Sequence, residues 1–427
     1  MTCLVWTYRI LFLPVFLLLL PYYFYRMVRR GGYFLDFKQR LGCGPSLGQG
    51  AGKRIWIQAV SVGEVLAIEP LIEELLDNEF EIVLTTTTST GYKLARERYG
   101  QRIRFTGLFP LDFLPFSHLA WERIRPDISM LMESELWPEH LNQARRRNIP
   151  VLLVNARMSD RSFKRAQSVN WAYRRLLNQL RGLAASSQHD LDRYQRLGMP
   201  KEKSILAGNL KVDVEIGPVM EQASRIQLLD EIRFPRDVPI LLGSSTWPGE
   251  EDALVEAARR LQESGTPCRL LLVPRHAERR NELRKMLESQ RLTWHLRSET
   301  LSPAEPTSIY VADTTGELRQ FTQLATIAFI GKTLPPNSGS QTPIEAAALG
   351  VPTVFGPNTG NFRIICRQLE QHSASIRIPD AQSLLPALQE LLSNPAKLHT
   401  MADAATSWHQ ANLGATQKTL AFILKHS

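Results

Sequence analysis

The sequence predicts an α/β protein with two Rossmann-like, doubly wound domains. Short β-branched runs alternate with longer helical patterns along most of the chain. Continuous apolar strands separated by helices are typical of a parallel sheet covered on both faces. A segment at 213–237, with two prolines and no strand pattern, interrupts the alternation and is interpreted as a linker. The 427 residues exceed the usual size of one core, which favours two domains.

The domains are predicted at 31–212 and 238–427, after an N-terminal segment at 1–30. Strand candidates in the first are RIWIQAV (54–60), EIVLTTTT (81–88), DISMLM (127–132), VLLVNA (151–156) and GLAASS (182–187), with helical patterns at 65–77 and 162–180. Those in the second are PILLGSS (239–245), CRLLLVP (268–274), SIYVAD (308–313), ATIAFIG (325–331) and PTVFGP (352–357). We expect the two domains to face each other across a cleft, with the last helix packing back on the first domain.

Composition narrows the class of protein but not the ligand. With 44% hydrophobic and 22% charged residues, the chain is globular rather than disordered or fibrous. A net charge of +9 suits a nucleic acid, an anionic membrane or a phosphorylated substrate. The four cysteines have no CxxC spacing, which argues against a zinc site or a disulfide framework and favours a reducing cytosol.

The N-terminal segment departs from the pattern of a soluble domain. Residues 10–25 carry no charge, and Arg26, Arg29 and Arg30 follow them. A membrane-spanning helix needs about 20 apolar residues, and Pro14 and Pro21 leave a kinked or interfacial helix open. Aromatic residues followed by arginines indicate an uncleaved anchor with the body on the cytoplasmic side. The alternative is a buried helix of the first domain.

Polar or small residues follow seven of the predicted strands. They read SVGE, TSTGY, ESELWPE, NARMSDRS, SSTWPGEED, PRHAERR and GPNTGN. Because ligands of doubly wound sheets bind at the carboxyl ends of the strands, these segments are the expected site.

Glu64, in the segment SVGE, has two interpretations. Gly63 permits a tight turn, so that Glu64 lies at the start of the following helix. There its carboxylate either stabilises the positive end of the helix dipole or acts as a general base toward an incoming hydroxyl.

Glu133 and Glu135 flank Ser134 in ESELWPE. On an extended segment the two carboxylates would point the same way and could bind hydroxyls or a cation. The alternative is an acidic turn that begins the next helix.

Two segments of the second half suit a phosphate. Arg275 and His276 follow a strand directly, and a guanidinium pairs well with phosphate, whereas a lone histidine is more often an ordinary loop residue. The loop 337–350 runs into a helix with Pro343 near its start, so its amides suit one phosphate and Glu345 suits ribose hydroxyls. No P-loop motif is present, and no GxGxxG follows the first strand.

Basic residues cluster twice in the first domain. The clusters are Arg145–Arg147 and the group Arg157, Arg161, Lys164 and Arg165. Such clusters are usually solvated helix faces. In a membrane-anchored domain they would also be attracted to an anionic bilayer.

Taken in order, these motifs resemble the 3-deoxy-D-manno-octulosonic acid (Kdo) transferases of lipopolysaccharide assembly, which are membrane-anchored glycosyltransferases of the GT-B type. The resemblance covers nearly the whole chain. It rests on the N-terminal anchor, FKQRLG, IWIQAVSVGE, TTTTSTGY, ESELWPE, NARMSDRS, GNLKVD, SSTWPGEE, PRHAER, TPIEAAALG and GPNTGNF.

The resemblance implies an inverting transfer of Kdo from CMP-Kdo to a lipid A precursor at the inner membrane, with release of CMP. It implies no cofactor, no metal and no nucleic-acid polymer as partner. Glu64 would be the catalytic base, with Glu133 and Lys211 supporting the cleft. CMP would be held by Arg275, His276, Ser340, Gln341, Thr342 and Glu345, with Glu345 on the ribose. Arg157, Arg161 and Lys164 would face the acceptor or the anionic membrane surface.

One segment departs from the family pattern. Where the family usually reads GGHNPLEP, this chain has Gly339-Ser340-Gln341-Thr342 before Pro343. Thr342 stands where an asparagine usually helps to hold the ribose. Two alternatives therefore remain: a membrane-associated GT-B transferase that uses a UDP-sugar, and a non-catalytic anchored scaffold.

Overall fold

The computed structural model describes residues 2–30 and 35–427. The chain divides into two units, Met1–Glu215 with Asn412–Ser427 and Ile216–Ala411. The side chains of Arg26, Arg29 and Arg30, and the boundary predicted between residues 30 and 31, lie outside the described residues.

The first unit is built on a parallel sheet of seven strands in the order β3-β2-β1-β4-β5-β6-β7. The strands are β1 (Arg54–Ala59), β2 (Glu81–Thr86), β3 (Phe105–Leu108), β4 (Ile128–Met132), β5 (Val151–Ala156), β6 (Gly182–Ala185) and β7 (Ser204–Leu206). Ile57 of β1 lies opposite Leu84 of β2 on one side and Met130 of β4 on the other. The central strand therefore places its carboxyl end between those of β2 and β4.

Helices cover both faces of this sheet. They are α1 (Thr2–Arg30), α2 (Val62–Ala67), α3 (Glu69–Asp77), α4 (Ser89–Tyr99), α5 (Leu114–Ile124), α6 (Pro138–Arg146), α7 (Asp160–Ser168), α8 (Asn170–Leu177), α9 (Gln188–Arg196) and α18 (Ala415–His426), with 3₁₀ helices at Phe37–Leu41, Lys201–Lys203 and Leu210–Val212. Ile55 and Ile57 face one apolar cluster, and Trp56 faces another. Burial on both faces explains why the strands are continuously apolar.

The second unit repeats the plan with the strand order β10-β11-β9-β8-β12-β13-β14, again all parallel. Its strands are β8 (Ile240–Thr246), β9 (Arg269–Pro274), β10 (Trp294–Leu296), β11 (Ile309–Val311), β12 (Ile327–Ile330), β13 (Thr353–Phe355) and β14 (Ser375–Arg377). Leu242 of β8 lies opposite Leu271 of β9 and Ala328 of β12.

The helices of the second unit again pack on both faces. They are α10 (Gln222–Glu231), α11 (Glu250–Glu263), α12 (Arg280–Glu288), α13 (Leu318–Thr322), α14 (Ile344–Ala348), α15 (Arg363–Gln371), α16 (Leu384–Leu392) and α17 (Pro395–Asn412), with 3₁₀ helices at Ala277–Arg279 and Gly360–Phe362. The segment predicted as a linker thus contains a helix, α10, whose Leu228 and Leu229 are buried in the core of the unit.

Helix α1 is long and apolar, and most of its apolar side chains are exposed. Leu4–Tyr22 has a mean hydropathy of 1.9 and is long enough to cross a membrane. Its first turns nevertheless contact the body: Arg9 forms an ion pair with Glu139 at 2.8 Å, and Phe12 stacks on Phe113. Leu18 is 79% exposed, so α1 is not the buried core helix of the alternative interpretation.

The sequence patterns predicted the central strands of both sheets but not the strands at the sheet edges. Short strands β3, β7, β10 and β14 were not predicted, because three or four residues carry little periodicity. The helix predicted over 65–77 is two helices that meet at Ile68, since Pro70 begins a new one. The helix predicted over 162–180 also breaks, at Val169.

Candidate active site

Glu64 lies in the first turn of α2, directly after the carboxyl end of β1. Its Oε2 accepts a hydrogen bond from the Val60 amide at 2.9 Å, and its Oε1 accepts one from the Ser61 hydroxyl at 3.1 Å. This geometry resembles a capping box, in which a glutamate at the third helical position reaches back to the helix start. The carboxylate is therefore oriented by two donors and is only 6% exposed.

The surroundings of Glu64 favour its protonated form. Burial raises the pKa of Glu64, and the negative charge of Glu133 raises it further. The two hydrogen bonds and the positive charge of Lys211 oppose these effects without reversing them. A carboxylate held in this way is a stronger proton acceptor than an ordinary surface glutamate.

Glu133 is the centre of a charged cluster at the carboxyl end of β4. It has a left-handed backbone (φ 58°) and is 8% exposed. One of its oxygens accepts from Lys211 Nζ at 3.0 Å, and the other lies 2.7 Å from an Arg157 guanidinium nitrogen. Because of the left-handed residue, Glu133 and Glu135 do not lie on an extended segment, and that expectation was wrong.

Glu135 belongs to the same cluster. Burial raises its pKa to about 7, with the negative charges of Glu64 and Glu133 as further causes. Burial also lowers the pKa of Lys211, against the attraction of Glu133. The unit thus collects three carboxylates and two cations whose charges depend on one another.

The three basic residues predicted to face the acceptor or the membrane lie in two different places: one is in the charged cluster and two are on the surface. Arg157 is turned onto Glu133, as described above. Arg161 and Lys164 are exposed on α7, beside the exposed Val169. Arg157 therefore belongs to the charged cluster, and the other two belong to the surface.

In the second unit, Arg275 and His276 follow β9 directly. The Arg275 backbone amide donates to the Thr246 carbonyl, while its side chain is exposed and has no acidic partner among the described residues. His276 packs edge-on against Trp247, with 5.1 Å between the ring centroids, and its Nδ1 lies 3.3 Å from a Glu278 oxygen.

The loop 337–343 is held largely by backbone hydrogen bonds to the segment that follows β12. Ser340 has φ 82° and is 2% exposed, and its hydroxyl donates to the Gln341 carbonyl at 2.7 Å. The Gln341 amide donates to Gly331, and the Thr342 hydroxyl oxygen accepts from the Ile344 amide. Helix α14, which follows, is only five residues long. The Ser340 side chain is therefore turned inward, whereas Gln341 and Thr342 are partly exposed.

Glu345 has unused hydrogen-bonding capacity. Its Oε1 is buried without a hydrogen bond in the described part of the chain, and the nearest cationic group is Arg319 at 3.7 Å. Burial raises the pKa of Glu345, and Arg319 lowers it only in part. A half-buried carboxylate with a free oxygen suits a ligand hydroxyl.

The sequence interpretation missed Glu250. This carboxylate is fully buried and accepts hydrogen bonds from four backbone amides, those of Trp247, Lys332, Thr333 and Leu334. It thereby ties the loop after β8 to the loop after β12. The available signal was the acid that follows Gly249 at a helix start, but an acidic first turn is common and does not predict such contacts.

A pocket of 580 Å³ lies in the same unit beside the loop 337–340. Its lining includes Gly339, Asn358, Arg367 and Arg377. Three arginines, Arg363, Arg367 and Arg377, line the pocket with one acid, Glu370, which pairs with Arg377. The lining therefore carries an excess of positive charge. The segment GPNTGN was expected at a ligand site, but the arginines that follow it were not.

The fold defines the class of protein. The UDP-GlcNAc 2-epimerase of Neisseria meningitidis has a similar structure (TM-score 0.60, 12% identity, covering 87% of this chain and all of that one). A glycosyltransferase of Rickettsia africae is similarly close (TM-score 0.59, 15% identity, covering 88% of this chain and 98% of that one). Two parallel sheets with such neighbours are a GT-B-type architecture, as predicted.

The family follows from sequence similarity. A family profile described as 3-deoxy-D-manno-octulosonic-acid transferase (kdotransferase) matches residues 36–214. The 3-deoxy-D-manno-octulosonic acid transferase of Haemophilus influenzae is 32% identical over 406 residues, which is 94% of this chain and 91% of the relative. That of Bordetella pertussis is 32% identical over 374 residues, 86% of each chain. This chain belongs to the Kdo transferase family and is a glycosyltransferase, which confirms the resemblance seen in its sequence.

Proposed function

We propose that the protein transfers Kdo from CMP-Kdo to a hydroxyl of a lipid A precursor with inversion, with Glu64 as general base. The observation that carries this proposal is the Glu64 carboxylate, which is oriented by Val60 and Ser61 and kept basic by burial beside Glu133. Family membership supports Kdo as the transferred group.

The reaction needs one proton acceptor and one site for the leaving phosphate. The acceptor oxygen forms a bond to the anomeric carbon of Kdo and gives its proton to Glu64. The bond from that carbon to the phosphate oxygen breaks, and CMP leaves with the electron pair. Attack opposite the leaving group inverts the anomeric carbon, so that no enzyme nucleophile takes part.

Lys211 and Glu133 act as positioning residues. The Lys211–Glu133 pair is largely buried, and Arg157 pairs with the other oxygen of Glu133. Since the charge of Glu133 raises the pKa of Glu64, the pair sets how basic Glu64 is. A positioned base typically contributes about 10²–10⁴-fold to the rate.

CMP is assigned to the second unit. Arg275 suits its phosphate by bidentate pairing. His276, Gln341 and Thr342 are partly exposed at the same edge of the sheet, and the free oxygen of Glu345 suits a ribose hydroxyl. Ser340 contributes through its backbone, because its hydroxyl is already bonded.

We place the protein at the cytoplasmic side of the inner membrane. Helix α1 supplies the apolar anchor, and the exposed Arg161, Lys164 and Trp171 of α7 and α8 suit an anionic bilayer surface. A lipid A precursor anchored in that bilayer is then within reach of the first unit.

A UDP-sugar donor is the rival function, because Thr342 replaces the asparagine expected on the ribose. A thermal-shift comparison of CMP, UMP and UDP separates the two donors. Selective stabilisation by CMP supports CMP-Kdo, and selective stabilisation by UDP supports the rival. A protein that neither binds a nucleotide nor transfers a sugar would be the anchored scaffold.

The decisive experiment is incubation of the full-length protein with CMP-Kdo and a lipid A precursor, followed by mass spectrometry. We expect a product heavier than the acceptor by one or more Kdo residues, together with free CMP. An unmodified acceptor under conditions where the relative from Haemophilus influenzae is active would contradict the proposal.

A further inference from the structure

Lys332 has a strained backbone that its neighbours fix in place. It follows β12 directly and has φ 63°, a left-handed conformation that glycine adopts freely and lysine does not. Its amide donates to Glu250 Oε2 at 2.8 Å, and its carbonyl accepts from the Ser340 amide at 3.0 Å. Strain of this kind persists only where the surrounding structure enforces it, and it is concentrated at functional sites.

The side chain of Lys332 extends over Trp247. The ammonium lies 4.3 Å from the centroid of the indole ring. The Trp247 amide donates to the same Glu250 oxygen as the Lys332 amide, so one buried carboxylate fixes both residues. His276 packs on Trp247 from β9. Lys332, Trp247 and His276 therefore lie together at the carboxyl ends of β12, β8 and β9.

Two cations at this edge are not neutralised. In the described part of the chain, neither Lys332 nor Arg275 has an acidic partner. The two acids that follow Trp247 in the sequence already have partners. Glu250 accepts from backbone amides, and Glu251 pairs with Arg279. Arg275 and Lys332 follow the two strands that flank β8, about 10 Å apart across the sheet at the usual strand spacing. Long side chains from these positions can converge on one ligand.

We propose that Lys332 binds the carboxylate of the transferred sugar acid, while Arg275 binds the phosphate. This inference rests on the proposed function. In a nucleotide-activated 2-keto sugar acid, the carboxylate and the phosphate oxygen are attached to the same carbon, so that the donor presents two adjacent anions. A neutral sugar has no group for the second cation. Lys332 would thus select a sugar-acid donor over a neutral one.

A purely structural role for Lys332 makes a different prediction. If the lysine served only to pack on Trp247, its loss would lower thermal stability and leave donor kinetics unchanged. Lys332→Gly separates these roles, because glycine relieves the left-handed strain. We expect this variant to unfold at a temperature no lower than the wild type, but with a raised KM for CMP-Kdo.

The test measures transfer and CMP affinity in the full-length protein. Lys332→Gln should raise the KM for CMP-Kdo about tenfold or more, the loss expected for one charge-assisted hydrogen bond. Its calorimetric Kd for CMP, which lacks the sugar carboxylate, should change less than about twofold. Lys332→Arg should retain most of the affinity for the donor, and Arg275→Ala should weaken CMP and CMP-Kdo alike. Lys285→Gln, an exposed change on α12, is the matched control.

Two results overturn the inference. One is an unchanged KM for CMP-Kdo in Lys332→Gln, and the other is an equal loss of affinity for CMP and CMP-Kdo, which would place Lys332 on the phosphate. In both cases the wild type still transfers Kdo, so the proposed function stands. A wild type that transfers nothing from CMP-Kdo would remove the proposed function and this inference with it.

Discussion

Four non-glycine residues with left-handed backbones lie at the carboxyl ends of strands, where the candidate site lies. Glu133 and Asn155 (φ 58° and 49°) are at the ends of β4 and β5, and Ser245 and Lys332 (φ 52° and 63°) are at those of β8 and β12. For a residue other than glycine, this conformation costs about 1–2 kcal/mol. Both units therefore hold strained residues at the carboxyl edge of the sheet, where a doubly wound fold binds its ligand.

The geometry of Glu64 accommodates both interpretations that the sequence left open, and the general base among them stays a proposal. Glu64 accepts from Val60 and Ser61 at the start of α2, and the same contacts would orient it in the proposed role of general base. The sequence predicted the position of Glu64 from the glycine before it and the strand that ends there. It did not predict the charge of Glu133 beside it, because that contact joins residues on different strands.

Glu135 should make stability depend on pH. Its folded-state pKa of about 7 lies above its ordinary value of 4.5. Its contribution to stability is therefore complete below about pH 4.5 and is lost as the pH rises through about 7. We expect Glu135→Gln to remove this loss, so that the variant becomes more stable than the wild type by up to about 3 kcal/mol above pH 7.

The measurement is the difference in melting temperature between Glu135→Gln and the wild type from about pH 4.5 to pH 8. Glu97→Gln, an exposed change on α4, is the control and should give a flat difference. A difference for Glu135→Gln that does not grow with pH would mean that the carboxylate is not buried in the folded protein.

Among the helices, α18 has its first turn fixed to the first unit by the carboxylate of Asp213. Both carboxylate oxygens of Asp213 accept from the start of this helix, from the amides of Gly414 and Thr416. The apolar side of α18, which includes Phe422 and Ile423, packs into the core of the first unit.

Removal of this cap should loosen α18 selectively. We expect Asp213→Ala to cost about 1 kcal/mol, the usual value for a helix N-cap. Hydrogen exchange measures this effect: amides of 415–426 should lose protection, and those of the central strands should not. Asp237→Ala, an exposed change, is the control. Unchanged protection of 415–426 would show that the helix is held by its apolar contacts alone.

The sequence predicted strands well where they are long and buried on both faces, and poorly where they are short. Strands β1, β5 and β9 are buried on both faces and appear as continuous apolar runs. The edge strands β7 and β10 have only three residues each, which no pattern resolves. The helix in the predicted linker was missed because its apolar residues do not recur along one clear face.

For the molecule as a whole, the order of the motifs along the chain predicted the family better than any single motif did. The series from SVGE to GPNTGNF predicted the family, which similarity over 94% of the chain confirms. The network around Glu250 could not be predicted, since it joins residues more than 80 positions apart through backbone amides. Because any residue other than proline has a backbone amide, such contacts do not restrict which residue types occur in the sequence.

The role of Glu64 as the general base is best tested by the rate of Kdo transfer by Glu64→Gln. Glutamine keeps the shape, and its single side-chain oxygen can still accept from Val60 while its NH2 group donates to the Ser61 hydroxyl, but it cannot take a proton. We predict a loss of at least about 10²-fold in transfer, with unchanged affinity for CMP. Glu69→Gln, on the surface of α3, should keep the wild-type rate. Transfer by Glu64→Gln at the wild-type rate would contradict the assignment of Glu64 as the base.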